Sequence, residues 1–152
     1  MSTIYRVINK KTSRERLVGV TDDFEKLCND FETGAETENK ALNRSKRRDL
    51  LLIERLEDTD NLPERFAYYV WPQSKRVEYS DGLKKKSLDK HVTKYLIHSV
   101  DRIIDLFPEM EYSFKLWIDN SIIFADVYKD GIAIERYTFA QAGTPNSRTI
   151  LI

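Results

Sequence analysis

Apolar residues recur along this chain in short runs whose spacing changes, and each change marks a new element. Ile4-Tyr5-Arg6-Val7-Ile8 is rich in β-branched residues, which predicts a strand. Polar residues from Asn9 to Arg16 then lead to Leu17-Val18-Gly19-Val20, so the two runs read as a hairpin. Phe24, Leu27, Cys28 and Phe31 follow at the three-and-four spacing of a one-sided helix. Thr21 can cap that helix, and Asp22 and Asp23 place negative charge at its positive end. Thr33 and Glu36 have capping-box spacing, which predicts a second helix running to about Arg48. Leu50-Leu51-Leu52-Ile53 completes residues 1–56 as a buried strand, giving the order ββααβ.

The acidic, turn-rich stretch from Glu57 to Pro63 reads as a connector, residues 57–63. Beyond it, residues 64–152 open with two short strands, Phe66 to Trp71 and Arg76 to Tyr79. A long helix is expected from Ser87 or Asp89, with Leu88, Val92, Tyr95, Leu96, Ile103, Ile104 and Phe107 on its apolar face. Pro108 follows its end. Glu111 to Ile118, Ile122 to Tyr128 and Ile132 to Phe139 read as three strands joined at Asp119-Asn120 and Lys129-Asp130-Gly131. The small, polar tail from Ala140 to Thr149 ends in Ile150-Leu151-Ile152, which could dock on a neighbouring surface. The expected fold is α+β, an N-terminal ββααβ unit resembling a helix-turn-helix module, then a ββαβββ antiparallel sheet under one long helix.

Composition narrows the function classes. With 5 Gly and 4 Pro in 152 residues, collagen-like and long low-complexity readings fall away. No window approaches the roughly 18 apolar residues of a membrane span, and Met1 to Asn9 lacks a signal-peptide apolar region. Cys28 is the single cysteine, so no internal disulfide can form and a Cys-rich zinc site is excluded. A cytoplasmic protein without cofactor or metal is expected. Lysine plus arginine and aspartate plus glutamate stand at 25 each, which leaves no global electrostatic case for a polyanionic partner. Local pattern must therefore carry the function.

The stretch Asn39 to Arg48 holds five basic residues and no acid. Projected on a helix, Ala35, Glu38 and Leu42 share a docking edge, Asn39, Asn43 and Lys46 an adjacent stripe, and Lys40, Arg44 and Arg48 another. A helix in a DNA groove needs this division, with amides for base edges and cations for phosphates. Asn39 and Asn43 are thus expected at bases, and Lys40, Arg44, Lys46, Arg47 and Arg48 at phosphates. A charge run of this kind also serves as a solvated face.

In the aromatic second part, Tyr69, Trp71 and Trp117 are the candidates for contact with a partner. Tyr112, Phe114, Leu116 and Ile118 share one strand face, which sends Trp117 to the other with Lys115. His91 and His98 lie seven apart, too far along one helix to share a metal. Asp119, Asp126 and Glu135 are acids on the last three strands, and no lysine follows at nuclease spacing. Cys28 falls on the apolar stripe of the first helix, as a buried thiol would.

Ile4-Tyr5-Arg6-Val7-Ile8-Asn9-Lys10-Lys11-Thr12, followed by Leu17-Val18-Gly19 and Asp23-Phe24-Glu25-Lys26, resembles the hairpin and helix of GIY-YIG homing endonucleases. The first 56 residues also resemble the short helix-turn-helix repeat found downstream in such nucleases and in other phage proteins. Tyr5 matches the first motif tyrosine, whereas Leu17 stands in place of the second and Leu27 in place of the helical arginine. Leucine can neither move a proton nor stabilise a phosphorane. Glu54 and Glu57 lie in the region of the metal-binding glutamate without matching it. The resemblance implies a non-catalytic, phage-like DNA-binding protein, with a regulator as one role. The second part would then dimerise or recruit a partner through exposed aromatics. An inhibitor that binds a host protein is the alternative, and a nuclease with an unrecognised site a third.

Overall fold

Burial on both faces along Ser2–Asn9, where Thr3, Ile4, Tyr5, Val7 and Ile8 are all buried, marks this first strand, β1, as the centre of a small sheet. The computed structural model describes residues 1–71, 74–89, 94–139 and 145–151. It divides into two compact units, Met1–Leu62 and Pro63–Ile152. In the first, β2 (Glu15–Thr21) and β3 (Leu51–Thr59) pair antiparallel on either side of β1, in the order β2-β1-β3. Val7 sits opposite both Leu17 and Ile53. Because side chains alternate across a strand, Tyr5, Val7 and Asn9 share a face with Leu17, Gly19, Leu51 and Ile53. Helix α1 (Phe24–Glu32) and the single turn α2 (Lys40–Asn43) supply Leu27, Phe31 and Leu42 to the core formed with Tyr5, Val7 and Leu51. Asp23 caps α1, its carboxylate accepting from Lys26 N at 3.1 Å.

The second helix expected as far as Arg48 is reduced to α2 and a 3-10 turn at Arg48–Leu50. The cause is competition for backbone groups. Asn43 Oδ1 accepts from Thr37 N at 2.8 Å while its Nδ2 donates to Thr37 O at 2.8 Å. Thr37 Oγ1 accepts from Asn39 N, and Asn39 Oδ1 accepts from Ala41 N and Leu42 N. Short polar side chains thus satisfy this segment's backbone outside a helical ladder. Gly34, at φ +78°, ends the preceding turn.

Residues 57–59, expected in the connector, belong to β3. Glu57, Asp58 and Thr59 pair with Ile4, Thr3 and Ser2, and Thr3 Oγ1 donates to the Asp58 carboxylate at 2.5 Å. Phe66 to Trp71, expected as a strand, forms helix α3 (Leu62–Val70) instead. Pro63 sits in its first turn, where the missing N–H costs nothing. Phe66, Ala67 and Val70 are buried at helical spacing.

In the second unit β4 (Val77–Tyr79), β5 (Tyr112–Asp119), β6 (Ile122–Lys129), β7 (Ile132–Phe139) and β8 (Pro145–Ile150) form one sheet in sequence order. β4 runs parallel to β5, so the sheet is mixed and not wholly antiparallel. A parallel neighbour requires a crossover, which includes α4 (Asp81–Asp89) and α5 (Lys94–Leu106). Where one helix was expected from Ser87 or Asp89, the described residues give α4, whose first turn Ser80 caps as its Oγ accepts from Leu83 N at 3.2 Å, and α5. Val92 and His91 lie outside the described residues, as does the His98 side chain. Phe114, Leu116, Ala125, Val127, Tyr137 and Phe139 are buried on one sheet face, and Leu83, Val100 and Ile103 are buried on the helices. The small, polar tail pairs with β7 as β8 from Pro145 onward. The architecture is α+β, and among the described residues no helix is long and apolar enough to cross a membrane.

Asn39→Ala removes the α2 cap and leaves the buried Tyr5 hydroxyl without its partner. A loss of about 2 kcal/mol is expected by chemical denaturation, from a cap of about 1 kcal/mol and an orphaned polar group of similar cost. An unchanged midpoint would contradict this account.

Candidate nucleic-acid interface

The turn between β1 and β2 is held by its own first residue. Asn9 Oδ1 accepts from Lys11 N at 2.9 Å and from Thr12 N at 3.2 Å, and Ser13 takes a positive φ of 59°. This closed turn presents Lys10, Lys11 and Arg14, with Arg16 at the start of β2, and all four are exposed. Lys10 N donates to Leu50 O at 2.8 Å, which seats the turn beside the segment that carries Arg44, Lys46 and Arg47. Those three are exposed as well. Two basic clusters far apart in sequence therefore meet at one end of the sheet.

Few acids oppose them. Arg47 donates from Nε and Nη2 to Asp49 at 3.2 and 3.1 Å, and this guanidinium holds the Asp49 carboxyl below the usual carboxylate range. Among the described residues, no carboxylate lies within ion-pairing distance of Lys10, Lys11, Arg14, Arg16, Arg44 or Lys46. Between the two clusters lies a cleft of about 270 Å³, lined by Asn9, Arg16, Ser45, Lys46, Arg47, Leu50 and Leu51.

The residues expected to contact DNA divide in two. Lys40, Arg44, Lys46 and Arg47 are exposed cations. Asn39, Asn43 and Arg48 are not placed for DNA. Asn39 is buried, and its Nδ2 donates to the Tyr5 hydroxyl at 2.8 Å. Burial pushes the Tyr5 phenol up from its ordinary value, and the bond from Asn39 opposes that shift. Asn43 is engaged on Thr37. Arg48 Nη1 donates to the carbonyls of Phe31 and Ala35 at 3.2 and 2.9 Å, while its guanidinium covers the Phe31 ring at 5.3 Å. It is a C-terminal cap for α1. Lys10, Lys11, Arg14 and Arg16 escaped the sequence reading; their signal was the basic composition of the polar hairpin turn.

The expected partner-binding aromatics are also occupied. Trp71 is 2% exposed, and its Nε1 donates to Ser87 Oγ at 2.8 Å. Tyr69 packs edge-on to Tyr68 at 5.2 Å. Trp117 lies on the sheet face opposite Phe114 and Leu116, as the alternation predicts. It stacks on Phe124 at 4.1 Å, and Arg136 lies 5.2 Å from its ring centre. Its Nε1 donates to Asp126 at 3.0 Å, and Arg136 Nε and Nη2 donate to the same carboxylate at 2.7 and 3.1 Å.

The acids form no shared centre. Asp126 pairs in register with Arg136 and Val127 with Glu135, so Asp126 and Glu135 point to opposite faces. Glu54 accepts from Arg6 at 2.7 Å, and Glu54 and Glu57 sit on the β3 face away from Tyr5. Leu27 is buried in the core and Leu17 packs against it. Among the described residues, no group of three His, Cys, Asp or Glu could hold a metal ion. Comparison with protein families, characterised proteins and solved structures finds no match to this chain.

Arg48→Ala should lower the unfolding free energy by about 1 to 2 kcal/mol through its lost cap bonds. Lys46→Ala, with no protein partner, should leave the denaturation midpoint unchanged. Equal midpoints for the two variants would contradict the division drawn above.

Glu135 is held below the ordinary glutamate value by bonds from Arg148, at 2.6 Å, and from the Tyr137 hydroxyl. A carboxylate with a depressed folded pKa stabilises the fold fully above its unfolded pKa, about 4.3. That contribution is lost as pH falls through the folded value. Glu135→Gln should therefore flatten the acid limb of a stability–pH curve below about pH 4.3. A limb as steep as the wild type's would remove Glu135 from the account.

Proposed function

We propose that the N-terminal unit is a DNA-binding module that grips phosphates with the hairpin turn and the facing loop. The observation that carries this reading is the Lys10 N–Leu50 O bond, which seats the basic turn beside the basic loop. Cations without protein counter-charges keep their full attraction for phosphates, and binding releases the counterions condensed on the duplex. The module has no groove-reading helix. α2 spans four residues, and the amides expected at base edges are bonded within the protein. Contact through the backbone positions a protein on DNA with little sequence selectivity. The module as proposed is a phosphate reader without a catalytic centre.

The test is a fluorescence-anisotropy titration of the full chain on a duplex at several salt concentrations. Wild type should bind at low salt and weaken steadily as salt rises. The double variant Arg16→Ala, Lys46→Ala should bind less tightly, with a log–log salt slope shallower by about 2. No binding at low salt, or a slope unaltered in the variant, would sink the proposal.

A further inference from the structure

We infer that the cleft between the hairpin turn and the facing loop accepts a terminal phosphomonoester. The inference rests on the DNA-binding reading and adds which part of the nucleic acid this cleft takes. A surface that only follows a duplex backbone needs convex or grooved cations. Here the cations edge an open cleft of about 270 Å³, smaller than a drug-sized pocket and of a size for one phosphorylated sugar end.

The charge matches. Arg16, Lys46 and Arg47 line the cleft, and the Asp49 carboxylate pairs with Arg47, which leaves a net charge of two on these four side chains. A terminal phosphomonoester carries about −1.5 to −2 at neutral pH and has three acceptor oxygens, whereas an internal diester carries a single charge. The few polar groups of a largely apolar lining can serve the same group. Asn9 Oδ1 is fully used by the turn, so its remaining capacity is the two donors of Nδ2. Ser45 Oγ donates to Ala41 O and is left as an acceptor, so the donors available at the cleft are those of Arg16, Lys46, Arg47 and Asn9 Nδ2. Leu50 and Leu51 add an apolar wall against which a sugar can pack.

The experiment compares duplexes of one sequence ending in 5′-phosphate, 3′-phosphate or hydroxyl groups, together with a closed dumbbell that has no ends. A nucleoside monophosphate and inorganic phosphate serve as competitors. One phosphorylated duplex should bind about tenfold more tightly than the hydroxyl-ended one, the value of one added charge-assisted contact set. The advantage should vanish in Lys46→Ala and grow as pH rises through about 6, where the monoester loses its second proton. Equal affinity for all four duplexes, with salt-dependent binding intact, would overturn this inference and leave the DNA reading standing. Absence of binding to any duplex would instead overturn the DNA reading. In that case, binding of the nucleoside monophosphate that is lost in Lys46→Ala would keep the phosphomonoester site with a free nucleotide as its source.

Discussion

One buried hydrogen bond holds the N-terminal unit in register with itself. Asn39 Nδ2 donates to the Tyr5 hydroxyl at 2.8 Å, joining the central strand to the loop that leads into α2 and the basic segment. Both groups are buried, so neither has water as an alternative partner and breaking the bond orphans two polar groups. The bond also requires Gly19. A Cβ there would overlap the Tyr5 phenol, so only glycine lets the ring lie across β2 and reach Asn39. The other atoms of the Asn39 amide cap α2. A single side chain therefore decides where the second helix begins and how the loop lies on the sheet.

The second unit relies on a comparable device. Asp126 is 4% exposed and receives three hydrogen bonds, one from Trp117 and two from Arg136. These bonds tie together neighbouring strands β5, β6 and β7 on the sheet face away from the apolar core. Arg136 lies over the stacked Trp117 and Phe124 rings, which combines aromatic packing with the ion pair. Trp117, one of the aromatics expected to meet a partner, is thus engaged in cross-strand order.

How far the sequence could be read depended on which groups compete for the backbone. Strong β-branched alternation located β1, β2 and the three strands β5, β6 and β7, and apolar spacing located α1. Asp130 and Gly131 take the positive φ values that their hairpin turn demands. Failures arose where side-chain chemistry overrode periodicity. Thr37, Asn39 and Asn43 consume the backbone groups that a helix to Arg48 would use. Tyr68, Tyr69 and Trp71 made an aromatic run look like a strand, although Phe66, Ala67 and Val70 already had helical spacing. The candidate site was half legible. Its loop cations were visible as a charge run, whereas Lys10, Lys11, Arg14 and Arg16 needed β1 to pair with β3 before their position meant anything.

Preorganisation makes this basic end more than a collection of surface charges. Flexible lysines and arginines lose entropy when they bind, and a mobile loop beneath them adds to that cost. Here Asn9 closes the turn through two backbone amides, and Lys10 N pins it to Leu50. Arg48 acts from below. By bonding the carbonyls at the end of α1, it offsets the negative end of that helix, which would otherwise pull on neighbouring cations. The exposed cations of the turn and loop thus sit on a backbone already held by its own hydrogen bonds, which is the condition the proposed anion binding needs. The division of labour is physical: Arg48 is engaged on the protein's own carbonyls and Arg47 on Asp49, whereas Arg16 and Lys46 have no carboxylate within ion-pairing distance among the described residues.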